Sequence, residues 1–166
     1  MEEVSEEEII RKIKRGEINY FEFLVNKYSR LVYFYALKKV ANREDAEDIV
    51  QNAFVKAYKG IDRFDLKQKF YPWFFTIVKN EINEFFRKKK THSKLDEEMA
   101  EDVREEGFGF EYLIKDLKPD YKQVLQLYFE EGYSYQEIAE KIEKPINTVK
   151  TLIRRAKDAV RQKIKI

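Results

Sequence analysis

Residues 133–160 read YSYQEIAEKIEKPINTVKTLIRRAKDAV, and the fold turns on how this stretch divides. Ser134 followed three residues later by Glu137 is a capping box, in which each side chain accepts a hydrogen bond from the other's backbone N–H. It opens a short helix, 135–142. Pro145 suits the first turn of a second helix reaching about Lys163, because its missing N–H has no partner to lose there. Only about three residues separate the two helices, the spacing of a helix-turn-helix. On a helical wheel of about 100° per residue, Val149, Leu152, Ile153, Ala156, Val160 and Ile164 share one face. Asn147, Lys150, Thr151, Arg154, Arg155 and Arg161 share the other. From Pro145 to Ile166 there are seven Lys/Arg and one Asp, a net +6. Arg and Lys donate to guanine O6 and N7. Asn147 and Thr148 sit at the helix N-terminus, where backbone N–H groups and the dipole favour a phosphate. A basic amphipathic helix alone is more often a solvated face. With a capped helix and a tight turn ahead of it, this one reads as a DNA-binding helix.

Helical spacing runs through the rest of the chain. Alternation of period two never persists, and the 5 glycines and 3 prolines fall between periodic runs. The chain reads as all-α. Ser5 with Glu8 starts a first helix, ended by Gly16. Asn19 with Glu22 starts a second, to about Val40. Asn42 caps a third, REDAEDIVQNAFVKAYK, acidic in its first turn as the dipole prefers, and Gly60 stops it. IDRFDLKQKFY reads as a loop, and Pro72 lies in the first turn of a helix reaching about Lys89. These four helices make one small domain, 1–90. Residues 91–109 read as an acidic flexible linker; from Thr91 to Glu111 eight Asp/Glu stand against two Lys/Arg. Residues 110–166 form a second small domain, with Pro119 opening a helix that Gly132 terminates before the helix-turn-helix. At about 55 residues this domain has a small core and is marginal by itself.

Composition excludes several classes. Hydrophobic residues are 43% and aromatic residues 15%, enough for packed cores. The net charge is only +2, so the charge is patterned rather than excessive. There is no cysteine, which removes disulfides, thiolate catalysis and Cys-based zinc sites and fits a cytoplasmic location. The acidic start MEEVSEEE is not a secretory signal. FYPWFFTIV, the longest dense apolar stretch, falls far short of the ~20 residues of a membrane span. No membrane insertion, metal or cofactor is expected.

The motifs also resemble a family. YSYQEIAEKIEKPINTVKTLIRRAKDAV resembles the −35-reading domain of bacterial RNA polymerase sigma factors of the extracytoplasmic function group of the sigma-70 family. DAEDIVQNAFVKAYKGIDRFD, followed by FYPWFFTIVKNEINEFFRK, resembles their domain that binds core polymerase and opens the −10 element. The resemblance spans nearly all of the chain outside the linker.

It implies a transcription initiation factor, not an enzyme, that directs core RNA polymerase to promoters by recognising −35 and −10 DNA and aiding melting. Asp45, Glu47, Asp48, Gln51 and Asn52 would meet the clamp helices of the largest polymerase subunit, where an acidic face suits a basic coiled coil. The second domain would meet the polymerase flap. Lys56, Gly60, Phe64, Ile77 and Asn80 would hold a flipped −10 base, with Phe64 and Ile77 as walls and the Asn80 amide reading its edge. Arg87, Lys88, Lys89 and Lys90 would hold phosphates. Tyr71, Trp73 and Phe74 could stack on bases, but their helical spacing favours a place in the core. Asn147, Thr148, Lys150, Thr151, Arg154 and Arg155 would read the −35 element. Asn147 replaces the family's usual Gly, and Leu152 a frequent Arg, so a −35 preference is not inherited. Members of the group are often held inactive by an anti-sigma factor. The acidic linker, by resemblance, threads toward the polymerase cleft.

Two other classes compete. A stand-alone helix-turn-helix regulator would use the same last helix but leaves DAEDIVQ and FYPWFF without purpose. A metal-dependent nuclease on Asp45, Glu47 and Asp48 lacks converging carboxylates and any His or Lys to activate water. The single histidine, His92, falls in the expected linker and reads as solvated.

Overall fold

The computed structural model describes residues 4–92 and 110–164. The order is α1 (Glu6–Lys14), a 3-10 turn (Ile18–Tyr20), α2 (Phe21–Val40), α3 (Arg43–Gly60), a second 3-10 turn (Ile61–Arg63) and α4 (Phe70–His92), followed by α5 (Phe110–Ile114), α6 (Pro119–Leu125), a π turn (Gln126–Glu130), α7 (Tyr135–Ile142) and α8 (Ile146–Ile164). No strand occurs among the described residues. Thr91 and His92, expected in the linker, still belong to α4. The rest of that linker, and the expectation attached to it, lie outside the described residues.

Local chemistry sets the helix ends. Ser5 Oγ accepts from Glu8 N at 3.2 Å, and Asn42 Oδ1 accepts from Asp45 N at 3.0 Å, so both caps expected from sequence form. Ala41 turns left-handed at φ 55° between α2 and α3. Asn19 does not cap α2; it lies inside the 3-10 turn, and α2 starts at Phe21 without a side-chain cap. α3 ends at Gly60 as expected, but not through a left-handed glycine turn. Gly60 is in right-handed conformation, and a Cβ there would meet the Trp73 indole at 3.3 Å. Close approach of α4, rather than backbone freedom, is what a side chain would spoil. The expected loop is shorter than read: Phe70 and Tyr71 already belong to α4, ahead of Pro72.

The first domain packs α2, α3 and α4 together. Leu24, Tyr28, Val32 and Ala36 recur every four residues on α2 and are all buried. Ala46, Ala53 and Ala57 let α3 approach closely beside the larger Ile49, Val50 and Phe54. Phe70, Phe74 and Val78 supply the α4 side. Phe54 and Phe74 stand 4.6 Å apart, and Phe70 and Phe74 5.5 Å. Each such pair contributes about 0.5–1.5 kcal/mol beyond the burial of its area. Tyr71 and Phe74 are buried as their spacing indicated, at 5% and 0% exposure.

The second domain does not stand apart. Phe129 lies 6.0 Å from Tyr28, Phe110 lies 6.0 Å from Tyr71, and Phe110 and Phe129 lie 5.8 Å apart. One aromatic core thus runs through both halves, which is how so small a second domain obtains enough buried apolar area. The Ser134–Glu137 box forms in both directions, with Ser134 N donating to Glu137 Oε2 at 2.7 Å and Glu137 N to Ser134 Oγ at 3.2 Å. Ser134 is buried. Ser134→Ala is therefore expected to cost about 0.5–2 kcal/mol, measured by denaturant unfolding of the full chain, with helix content at zero denaturant unchanged.

Candidate nucleic-acid interface

The α7–α8 turn is made by one strained residue and one proline. Glu143 adopts φ 53°, an uncommon conformation for a side-chain-bearing residue. The Pro145 carbonyl accepts from Thr148 N at 2.9 Å and Val149 N at 3.2 Å, which starts α8. Val149, Ile153 and Ala156 are buried at 0%, 1% and 0%, while Asn147, Thr148, Lys150, Arg154 and Arg155 are exposed. Thr151 is half-buried, and its hydroxyl donates to the Asn147 carbonyl at 2.9 Å. That hydroxyl can then only accept from a base or donor outside.

The charge along α8 is not uniform in use. Lys157 sits over the Tyr128 ring at 4.6 Å, Arg161 pairs with Asp158 at 3.2 Å, and Lys163 pairs with Asp116 at 2.7 Å. Those cations belong to the C-terminal half. No acid pairs with Lys150, Arg154 or Arg155 among the described residues. The cations free to meet an anion are therefore in the first half of the helix. The sequence wheel placed Arg161 with them, and its partner Asp158, one turn back, removes it.

On the first domain, Lys56, Gly60, Phe64, Ile77 and Asn80 fall on α3, the turn after it and α4. Asn80 is exposed and Ile77, one turn away on α4, is half-buried. Phe64 is only 3% exposed and lies beneath Trp73, with ring centroids 5.0 Å apart. It packs inside, and the half-buried Trp73 covers it. Lys56 makes an ion pair with Glu81, a carboxylate only 7% exposed. Glu81 was missed because its position on α4 reads as a polar residue among many; only burial marks it. A desolvated carboxylate holds its cation firmly, since losing that partner leaves a buried charge uncompensated.

The basic end of α4 is partly spent within the chain. Arg87 donates to Glu84 at 2.6 and 2.9 Å, and Lys88 lies 3.8 Å from it. The Arg87 hydrogen bond, reinforced by charge, pulls the Glu84 carboxyl below its ordinary range. Glu84 thus faces its own helix's cations rather than opposing DNA by itself.

Asp45, Glu47, Asp48, Gln51 and Asn52 lie on the wet side of α3; all are exposed except the half-buried Asp45. Beside them runs an open groove of about 1080 Å³ between α2 and α3, bordered by Ile18, Phe21, Val55 and Tyr58 as well as Glu47 and Gln51. Ile18 is 56% exposed, Val55 46% and Tyr58 42%. These apolar residues were not singled out from sequence, because spacing alone does not separate an uncovered apolar residue from a core one. Among the described residues no cluster of three metal-ligating side chains forms, and no helix is long and apolar enough to cross a membrane.

Residues 24–92 match the family model for sigma-70 region 2, and residues 109–160 match sigma-70 region 4. The ECF RNA polymerase sigma factor SigW of Bacillus subtilis is 31% identical, over 94% of this chain and 95% of the relative. The ECF RNA polymerase sigma-E factor of Haemophilus influenzae is 27% identical, over 98% and 97%. A solved NMR structure, an engineered region 2 of sigmaE in complex with GTAAAA, is 27% identical with TM-score 0.53, covering 57% of this chain and 99% of that one.

The unequal use of the α8 cations has a measurable consequence. Arg154→Ala is expected to lower affinity for a selected duplex by about 1–3 kcal/mol and to relax preference at one base pair. Arg161→Ala, whose guanidinium is engaged by Asp158, is expected to leave that preference intact. Fluorescence titration of the full-length variants over a panel of single-base duplex changes checks both.

Proposed function

The chain belongs to the extracytoplasmic function group of the sigma-70 family and is a transcription initiation factor, and we propose a division of its surface among the tasks such a factor performs. The first half of α8 reads the −35 element, with Lys150, Arg154 and Arg155 reaching base edges or phosphates and Asn147 and Thr148 seating a phosphate at the helix start. The observation that carries this assignment is that no acid pairs with these three cations among the described residues, whereas Arg161 and Lys163 pair with acids and Lys157 lies over the Tyr128 ring.

Asn80 reads a −10 base taken out of the stack, with Ile77 and Trp73 as the apolar side and the buried Phe64 supporting Trp73 from beneath. Its amide offers both donor and acceptor to a base edge. Lys56, held by Glu81, stands on the neighbouring helix as a fixed positive charge. Base flipping costs a few kcal/mol of unstacking, and a preformed site offsets part of that.

Core polymerase meets Asp45, Glu47, Asp48, Gln51 and Asn52 together with the α2–α3 groove. The acidic edge speeds and orients association with the basic clamp helices, and the apolar groove supplies the buried centre that a lasting interface needs. The second domain meets the flap. The factor works in the cytoplasm, contributes no bond-making step of its own, and is a candidate for capture by an anti-sigma factor. Two modest DNA contacts on one chain reinforce each other through effective concentration.

Run-off transcription with core polymerase on a selected DNA pool tests this reading. Sequence-selective initiation is expected only when chain and core are both present. Tight promoter binding by the chain alone, with no effect on the polymerase, would instead mark a stand-alone regulator. Asn80→Ala is expected to reduce opening, followed by 2-aminopurine fluorescence in the −10 element, more than closed-complex formation followed by gel shift. Equal loss in both would remove Asn80 from the flipped-base site.

A further inference from the structure

The facing sides of α3 and α4 frame the proposed −10 site, and one end of it is built on a buried acid. Gly60 of α3 meets Trp73 of α4. One turn back along α3 and two turns on along α4, Lys56 meets Glu81. Ile77 lies midway between Trp73 and Glu81 on α4, and Asn80 immediately precedes Glu81. The site thus has the indole at one end and the ion pair at the other. The Glu81 side chain is buried, while that of Lys56 is 58% exposed. An ammonium has three donors. Glu81 takes one, and the exposed side of Lys56 leaves room for an acceptor from outside. Glu84, one turn beyond Asn80, is held below the ordinary carboxyl range by its Arg87 hydrogen bond, and the Lys88 and Lys56 charges act in the same direction. Charges therefore stand on both sides of the Asn80 amide.

Packing does not call for an acid at position 81. The neighbouring buried positions on α4 are Val78 and Ile82, so an apolar side chain suits this face. A carboxylate taken out of water is costly even when paired, and an apolar pair of similar volume is often as stable or more so. What Glu81 changes is Lys56. Lys69 and Lys88 pair with acids that are 47% and 33% exposed. Such lysines swing on flexible stems to whatever phosphate comes near. Lys56 is tied to a carboxylate that the helix core keeps in place.

We infer that Glu81 is a positioning residue for −10 selection: it holds the Lys56 ammonium at one place beside Asn80, so that this charge engages a DNA strand whose base is seated at Asn80 and adds little to any other. The inference deepens the proposed −10 reading and rests on it. To follow the phosphates of a strand in the wrong register, Lys56 would have to leave a buried carboxylate uncompensated. A lysine without that tether would raise affinity for every strand alike, because phosphate contacts carry no sequence information. Selectivity is a difference of affinities, and Glu81 enlarges it by restraining a contact that all sequences share.

The full chain assembled with core polymerase is titrated by fluorescence anisotropy with two single-stranded oligonucleotides. One carries the sequence recovered by selecting a random pool on the wild-type complex, and the other is a scrambled strand of the same composition. The wild type is expected to prefer the recovered strand. Absence of any preference would overturn the −10 reading and the Glu81 role with it. Glu81→Gln is expected to lower the preference about tenfold. Its affinity for the scrambled strand is expected to rise, with a slope of log affinity against log salt steeper by about 0.7, one more phosphate neutralised. A wild-type preference and slope kept by Glu81→Gln would overturn the Glu81 role alone. Lys56→Gln is expected to lower the preference without steepening the slope, and adding Glu81→Gln to it is expected to change neither further. A second fall in preference there would show that Glu81 acts through packing rather than through Lys56, and would overturn the positioning role. Glu81→Leu with Lys56→Leu removes both charges together. That variant is expected to melt no lower than the wild type and to show the reduced preference of Lys56→Gln. Wild-type preference in it would also overturn the inference.

Discussion

Burying the Tyr28 ring beneath α1, α4 and the second domain is the constraint on which the remaining packing depends. Its ring touches Phe70, Tyr71, Phe74 and Phe129, so it joins the two halves of the aromatic core. Its hydroxyl then needs a partner in a place water does not reach. Glu6 supplies one, and Lys27 balances the charge that Glu6 brings. Burial, and then the nearby Glu6 charge, push the Tyr28 hydroxyl well above its ordinary range, so it stays a protonated donor. The apolar and polar parts of this junction are therefore coupled: the ring gains little unless the hydroxyl is satisfied. α1 brings the charged acceptor, Glu6, and the Phe129 carbonyl of the second domain lies 3.1 Å from the same oxygen.

A second constraint is the way cations are divided between internal and external work. The chain carries 33 Lys/Arg, and composition alone offers all of them to DNA. Pairing narrows the choice. On α8, Asp158, Asp116 and the Tyr128 ring engage the far cations and leave the near ones open. On α4, Glu84 holds Arg87. On α3, the desolvated Glu81 holds Lys56. The exposed pairs on α8 and α4 add little to stability, but every one of these contacts affects where a positive charge stands and how readily it turns to a phosphate. Specificity in an electrostatic interface depends on that placement more than on the total.

The same packing explains why two small helical units occur as one folded body. The second unit, at about 55 residues, has only a small core by itself. Sharing Phe110, Phe129, Tyr71 and Tyr28 enlarges both cores at once.

What the sequence by itself determined was everything governed by neighbours in the chain. Ser5, Asn42 and Ser134 announced their caps, Pro119 and Pro145 their helix starts, and the wheel of α8 separated its buried Val149, Ile153 and Ala156 from exposed Lys150, Arg154 and Arg155. These follow from hydrogen bonds and periodicities a few residues long, which are written locally. Helical spacing also correctly sent Tyr71 and Phe74 inward. Only tertiary structure decided that Phe64 lies under Trp73, that Gly60 makes room for an indole, that Glu81 pairs with Lys56, and that Glu6 reaches Tyr28 and Gly132. Each of those depends on residues far apart in sequence meeting in space, and burial, not residue type, sets their energy. A glutamate six residues from the start looks like any other acid in MEEVSEEE until the ring of Tyr28 and the turn at Gly132 close over it.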